Sequence, residues 1–241
     1  MAEEKDFITI GEAAEILKVS IDTLRRWDKS GKLSPTKTSE AGYRLYYKPQ
    51  VEIFLNELFG LAKDWVLKET KLSPEFYCSN SAVFQTRLIQ MQDVLMAIPQ
   101  LNNIFSLIVA VAGEIGNNSF DHNLGNWPDV AGVFFMYDIH KRNIILADRG
   151  VGVFATLKRV KLELNNDEEA LHVAFTEIIS GRSPESRGNG LKFVSKIVAE
   201  NPIGLVFQSG DAELTLKKDK SDLDIKHSPE PFRGCLALIT F

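Results

Sequence analysis

Residues 113–123, GEIGNNSFDHN, gather several groups able to do chemistry. Glu114, Asn118 and His122 recur every four residues, which on a helix stacks them on one face, with Asp121 beside them. Leu107, Ile108, Val111, Ala112 and Ile115 recur at helical spacing and would bury a different face. A carboxylate and a carboxamide one turn apart suit two jobs at a triphosphate. Glu114 can orient a water, and the Asn118 side-chain oxygen can join phosphate oxygens around a hard Mg²⁺. A solvated polar face would show the same pattern, so the stretch does not decide alone.

Two downstream stretches follow in order. Residues 143–152, NIILADRGVG, are an apolar strand running into an acid and a glycine turn. Asp148 at the strand end can accept a hydrogen bond from an exocyclic amine such as adenine's, and Gly150 and Gly152 let a flat ring approach the backbone. Then Arg187, Gly188, Asn189, Gly190 and Leu191 open the amphipathic stretch KFVSKIVAE. Free backbone N–H groups and the helix dipole at such a start can hold phosphate.

The series E-x-x-x-N-x-x-D, D-x-G-x-G, G-x-G-L resembles the GHKL superfamily, the ATP-binding fold shared by gyrase, heat-shock chaperones, histidine kinases and mismatch-repair ATPases, over roughly residues 76–241. The resemblance implies a Bergerat-type two-layer α/β sandwich, with helices on one face of a mixed, mostly antiparallel sheet. It implies ATP and Mg²⁺ as cofactors, Glu114 as hydrolytic base, Asn118 as the Mg²⁺ ligand, Asp148 on adenine, and Gly188 and Gly190 on phosphates. Asp121, His122, Gly150, Gly152, Asn189 and Leu191 complete the expected nucleotide contacts. The interval 153–187 corresponds to a lid, which makes Arg182 and Arg187 candidates for phosphate. Gly234 aligns with the family's last glycine, and Cys235 stands where a threonine usually follows. Phosphoacceptor histidines of this superfamily sit on a separate helical domain that the chain lacks, so an ATPase is implied. The alternatives are a serine kinase of the anti-sigma type and a nucleotide sensor that does not hydrolyse.

The elements expected around these boxes are a strand at 76–79, a helix at 81–98 stopped by Pro99, the motif helix at 101–122, and a hairpin of VAGVFFMYDI with NIILADRG. A helix is expected to be led by Asn166 or Asp167. Strands are expected at 204–216 and 235–241, with the charged stretch KKDKSDLDIKHSPEPFRG between them as a loop.

The N-terminal part has a different character. FITIGEAAEIL predicts a short strand and a helix; Ser20 is the candidate N-cap of a second helix, IDTLRRWDKSG, closed by Gly31. A Gly42 turn between Thr-rich and Tyr-rich strands suggests a wing, and a third helix starts at Pro49. From Lys18 to Lys48 eight basic residues stand against three acids, Asp22, Asp28 and Glu40. This pattern is similar to the MerR-type winged helix-turn-helix over residues 8–55, and the resemblance implies double-stranded DNA as partner. The second helix would enter the major groove with Thr23, Arg25 and Arg26. Lys37, Tyr43, Arg44 and Tyr46 would grip backbone from the wing. MerR regulators usually continue into a long dimerising coiled coil, and residues 58–74 are too short and irregular for one. A protein partner or a second copy of the chain stays open. The division expected is 1–59 for DNA, 60–75 as linker and 76–241 for ATP.

The 241 residues, 44% hydrophobic and 25% charged, suit one large and one small globular domain, and the net charge of −4 excludes a globally polycationic DNA binder. Cys78 and Cys235 have neither disulfide-framework density nor metal-ligand spacing, and read as reduced packing residues. No window approaches the run of about 18 apolar residues that a membrane span needs. The acidic start MAEEKDF does not resemble a signal peptide. No membrane partner and a cytoplasmic location are the expectation.

Overall fold

The computed structural model describes residues 7–17, 19–31, 33–39, 41–68, 72, 74, 76–139, 141–178, 190–220 and 222–241. They form two compact units, residues 1–61 with 137–142, and residues 62–136 with 143–241.

In the first unit, β1 (Phe7–Thr9) leads into α1 (Ile10–Leu17), followed by α2 (Ile21–Lys29), β2 (Lys37–Thr38) and β3 (Arg44–Tyr47). Each start and stop has a local cause. Thr9 and Glu12 form a capping box: the Thr9 N–H donates to Glu12 Oε2 at 2.7 Å, and the Glu12 N–H returns to Thr9 Oγ1 at 3.3 Å. Ser20 caps α2 by accepting the Thr23 N–H at 3.1 Å, and Gly31 at φ +74° ends it in the left-handed region. Gly42 at φ +81° turns the wing. The three strands pair antiparallel in the order β1-β3-β2, and Leu17, Leu24, Trp27, Leu33 and Tyr46 are buried.

Helix α3 spans Lys48–Lys68 without interruption. It begins in the first unit and ends in the second. The stretch expected to start a linker at residue 60 is therefore helix as far as Lys68. Trp65 and Val66 are buried there, and an apolar face with partners keeps a helix going where local sequence does not demand it.

The second unit is built on a five-stranded sheet in the order β4-β5-β6-β8-β7. Its strands are β4 (Tyr77–Cys78), β5 (Val133–Asp138), β6 (Asn143–Asp148), β7 (Gly204–Leu216) and β8 (Asp224–Thr240). β4 with β5, β6 with β8, and β7 with β8 pair antiparallel. Val133–Met136 and Ile144–Ala147 are buried without alternation, so both faces are covered at the middle of the sheet. The helices are α4 (Ser81–Met96), α5 (Phe105–Asn123), α6 (Gly152–Leu157), α7 (Asp167–Thr176) and α8 (Gly190–Glu200). Helix α5 packs against both α4 and α8 and reaches β6 and β8, while α7 lies on β7. Asn166 caps α7 as expected, accepting the Glu169 N–H at 2.8 Å.

One expectation fails here, and one element was not expected. The charged stretch predicted as a loop to residue 234 is strand from Asp224 onward, paired with β7 through Thr215↔Asp224, Leu214↔Ile225 and Ala212↔His227. Its side chains are largely exposed, so the backbone ladder to β7, whose Ala212, Leu214 and Leu216 are buried, carries a run that composition assigns to loop. Helix α6 was not foreseen. Among the described residues no helix is long and apolar enough to cross a membrane.

Glycine sets the closest helix contact. A Cβ built on Gly116 would lie 2.1 Å from Phe84 Cζ, so α5 can approach α4 only because the position is bare. Phe84 in turn packs edge-on to Phe135 at 5.2 Å. Gly116→Ala should overpack this junction and cost about 1–3 kcal/mol of stability, read as a lower midpoint in denaturant unfolding with an unchanged m-value.

Candidate functional site

In the second unit a cavity of about 610 Å³ opens between the C-terminal half of α5, the end of β6 and the start of α8. Glu114, Asn118, Asp121 and His122 from α5, Asp148 from β6, Gly152 from α6, and Gly190 with Leu191 from α8 all line it. Three stretches far apart in sequence thus meet at one place. Arg182, Arg187, Gly188 and Asn189 lie outside the described residues.

Asp148 lies at the floor, 1% exposed. Its carboxylate accepts the Ser119 hydroxyl at 2.7 Å and the Gly150 N–H at 2.8 Å, and Cys235 adds its backbone N–H and its thiol. Burial pushes the Asp148 carboxyl above the ordinary carboxylate range, and these donors pull it back down. Burial first, and the Asp148 charge second, push the Cys235 thiol well above the usual thiol range. Cys235 therefore faces the cavity as a neutral donor, not as a nucleophile.

The turn after Asp148 is held from two sides. Asn123 accepts the Val151 N–H at 2.8 Å and donates to the Ser119 carbonyl at 2.8 Å, which ties the end of α5 to the turn. Ser209 on β7 accepts the Val153 N–H at 2.9 Å and donates to the Gly234 carbonyl at 2.9 Å. Gly150 does not itself line the cavity: a Cβ there would sit 2.1 Å from the Asn123 side chain. Gly234, at φ +87°, would place a Cβ 2.2 Å from the Asp148 carbonyl oxygen, so only glycine lets β8 pass so close.

On the opposite wall Gly190 presses against the polar seam. A Cβ on it would be 2.6 Å from Glu114 Oε2 and 3.4 Å from Asn118 Nδ2. The remaining lining mixes apolar side chains, Ile115, Val153, Leu157, Phe193 and Phe207 among them, with the polar Asn117, Ser119, Asn123 and Thr156. The site thus offers an apolar slot ending on a buried carboxylate, with a carboxylate, a carboxamide and a helix start at its other side. Ser119, Asn123 and Ser209 were not singled out from sequence, and Cys235 was read only as a packing residue after Gly234. Ser119 and Asn123 did carry a signal, being polar residues at successive turns of the face that also carries the apolar Ile115.

On the first unit, Arg25, Arg26, Lys37, Tyr43 and Arg44 are exposed. Arg25 pairs with Asp22 at 2.7 Å and Arg44 with Asp28 at 3.0 Å, while Lys37 stands 3.7 Å over the Phe7 ring. Exposed pairs of this kind are weak and exchange readily for phosphate. Two expected contacts are corrected. Thr23 is 6% exposed, its hydroxyl engaged with Ser20 Oγ at 3.0 Å in the cap of α2. Tyr46 is 1% exposed and belongs to the core.

Among the described residues no group of three or more His, Cys, Asp or Glu side chains is placed to hold a metal ion. Cys78 and Cys235 are free thiols.

Residues 9–46 match the model of the MerR family regulatory protein. The chain is 41% identical over 73 residues to the Type II methyltransferase M.Eco47II of Escherichia coli, a match covering 30% of this chain and 17% of that protein. A crystal structure of a MerR-family transcriptional regulator from Bacillus cereus aligns at 21% identity and a TM-score of 0.21, covering 46% of this chain and 82% of that one. The N-terminal helix-turn-helix is MerR-like.

Asp148 also makes stability depend on pH. Its folded-state pKa is raised, so its contribution is fully present below the ordinary carboxylate range and is lost as pH rises through the raised value. Asp148→Asn removes that loss. Thermal unfolding of both proteins from about pH 4 to about pH 8 should show the variant gaining on the wild type as pH rises. A difference independent of pH would mean that Asp148 does not titrate as described.

Proposed function

We propose that this chain is a DNA-binding regulator whose second unit is a GHKL-type nucleotide domain, so that Mg-ATP changes how the MerR-like unit engages double-stranded DNA. The observation that carries the reading is the convergence on one cavity of Glu114 and Asn118, Asp148, and Gly190, three boxes that sequence alone could only list in order.

The residues fit the group. Asp148, buried at the floor of the cavity, has carboxyl oxygens that could accept from an adenine amine. The apolar lining suits a flat ring, and the start of α8 suits phosphate. The Asn118 oxygen would hold Mg²⁺ together with phosphate oxygens and water, and the ion would neutralise phosphate charge. Glu114, against Gly190, would orient a water and act as its base, and slow hydrolysis would be the reset.

The helix-turn-helix presents Arg25, Arg26, Lys37, Tyr43 and Arg44 to phosphate and groove. A physical link supports coupling. Trp65, in the last turns of α3, lies 5.9 Å from the guanidinium of Arg149, the residue after Asp148. Through this contact a change at the Asp148 turn would reach the last turns of α3.

Anisotropy titrations of a mixed-sequence DNA duplex at one fixed salt concentration test this. Mg-ATP should shift the DNA affinity of the wild type by about 5- to 150-fold, the usual range of allosteric coupling. Asn118→Ala should keep the nucleotide-free affinity and lose the shift. Equal affinity with and without Mg-ATP in the wild type would reject an ATP-responsive regulator.

A further inference from the structure

Asp129 lies in the loop after α5, outside the cavity, and its carboxylate is fully engaged. Its Oδ2 accepts from the guanidinium groups of both Arg149 and Arg233, and its Oδ1 accepts the Val130 N–H. The Arg149 side chain is only 3% exposed, and a guanidinium so buried is strongly unfavourable without a partner carboxylate. Trp65 covers it from another side.

The positions of the two arginines in the chain give the pair its meaning. Arg149 stands between Asp148 and Gly150, and Arg233 immediately precedes Gly234 and Cys235. Gly150 and Cys235 are the residues whose backbone N–H groups point at the Asp148 carboxylate. One carboxylate therefore fastens, from outside, the turn after β6 and the stretch of β8 that hold the floor of the cavity from inside.

We propose that Asp129 is the positioning residue of this site, an acid that clamps the Arg149 turn to the Arg233 stretch of β8 so that Asp148 keeps its donors and its aim into the cavity. The inference rests on the nucleotide reading for its functional consequence, but the clamp itself is a statement about two backbone segments. Charge-assisted bonds to a single oxygen resist opening more than neutral ones, so removing the charge loosens both segments at once.

Site-resolved amide hydrogen exchange in Asp129→Asn, read beside calorimetric ATP titration, tests it. The Gly150 and Cys235 amides should exchange about tenfold faster or more, while the Leu214 amide in the β7–β8 hairpin stays as in the wild type. ATP affinity should fall by about tenfold, and Asp129→Glu should recover part of both. If Asp129→Asn does not fold, Arg233→Met, at a partly exposed side chain, should speed Cys235 more than Gly150.

Unchanged exchange at both amides overturns the clamp. Equal acceleration at Leu214 also overturns it, since that is general loss of stability. Faster local exchange with wild-type ATP affinity overturns the positioning role. If the wild type takes up no ATP, the nucleotide reading fails, and the exchange data alone decide the clamp.

Discussion

A carboxyl group taken out of water stays charged only if donors replace the water, and Asp148 shows how much of a fold that can demand. Ser119 from α5, Gly150 from the following turn and Cys235 from β8 each supply a donor. Those three groups come from a helix, a turn and a strand, so their convergence fixes α5 against β6 and β8. The cavity is the space left above that junction. Gly150 and Gly234 follow from the same demand, because a side chain at either would displace Asn123 or the Asp148 backbone.

Function in this account is borrowed from that constraint. A buried carboxyl at the end of a cavity is a poor contributor to stability, since burial penalises its charged form, yet such a group is suited to recognition. The opposite wall is looser: Glu114 and Asn118 are partly exposed on α5 and face the first residue of α8. Under the proposed nucleotide reading, the buried wall would take the base and the more exposed wall the phosphates. The MerR-like unit is the complementary case, with its cations lightly paired at the surface and its rigidity supplied by the Ser20 and Thr9 caps.

What could be read from sequence was what depends on near neighbours. Ser20, Gly31, Gly42 and Asn166 act within a few residues of themselves, and each cap or turn was foreseen where it stands. The three boxes could be listed in order from a family resemblance, but an acid before a glycine turn is common on its own, so their meeting at one cavity could not be read from any one of them. The rest depends on partners remote in the chain. Ser119 finds Asp148 at a separation of 29 residues, Asn123 finds Val151 at 28, and Arg233 finds Asp129 at 104. Residues 224–234 look like loop until β7 is beside them, and residues 60–68 look like linker until the burial of Trp65 is known. Thr23 and Tyr46 were right as elements and wrong as surfaces, since residue type does not say which way a side chain faces.

The central claim is that Asp148 and the apolar slot select adenine. Calorimetric titration of ATP and of GTP, each with Mg²⁺, into the purified chain tests it most directly. The account predicts saturable binding of one ATP per chain. GTP should bind weaker by about tenfold or more, because guanine presents a carbonyl where adenine presents an amine and would set two acceptors against each other. Equal affinity for the two nucleotides, or no saturable heat from ATP, would contradict it.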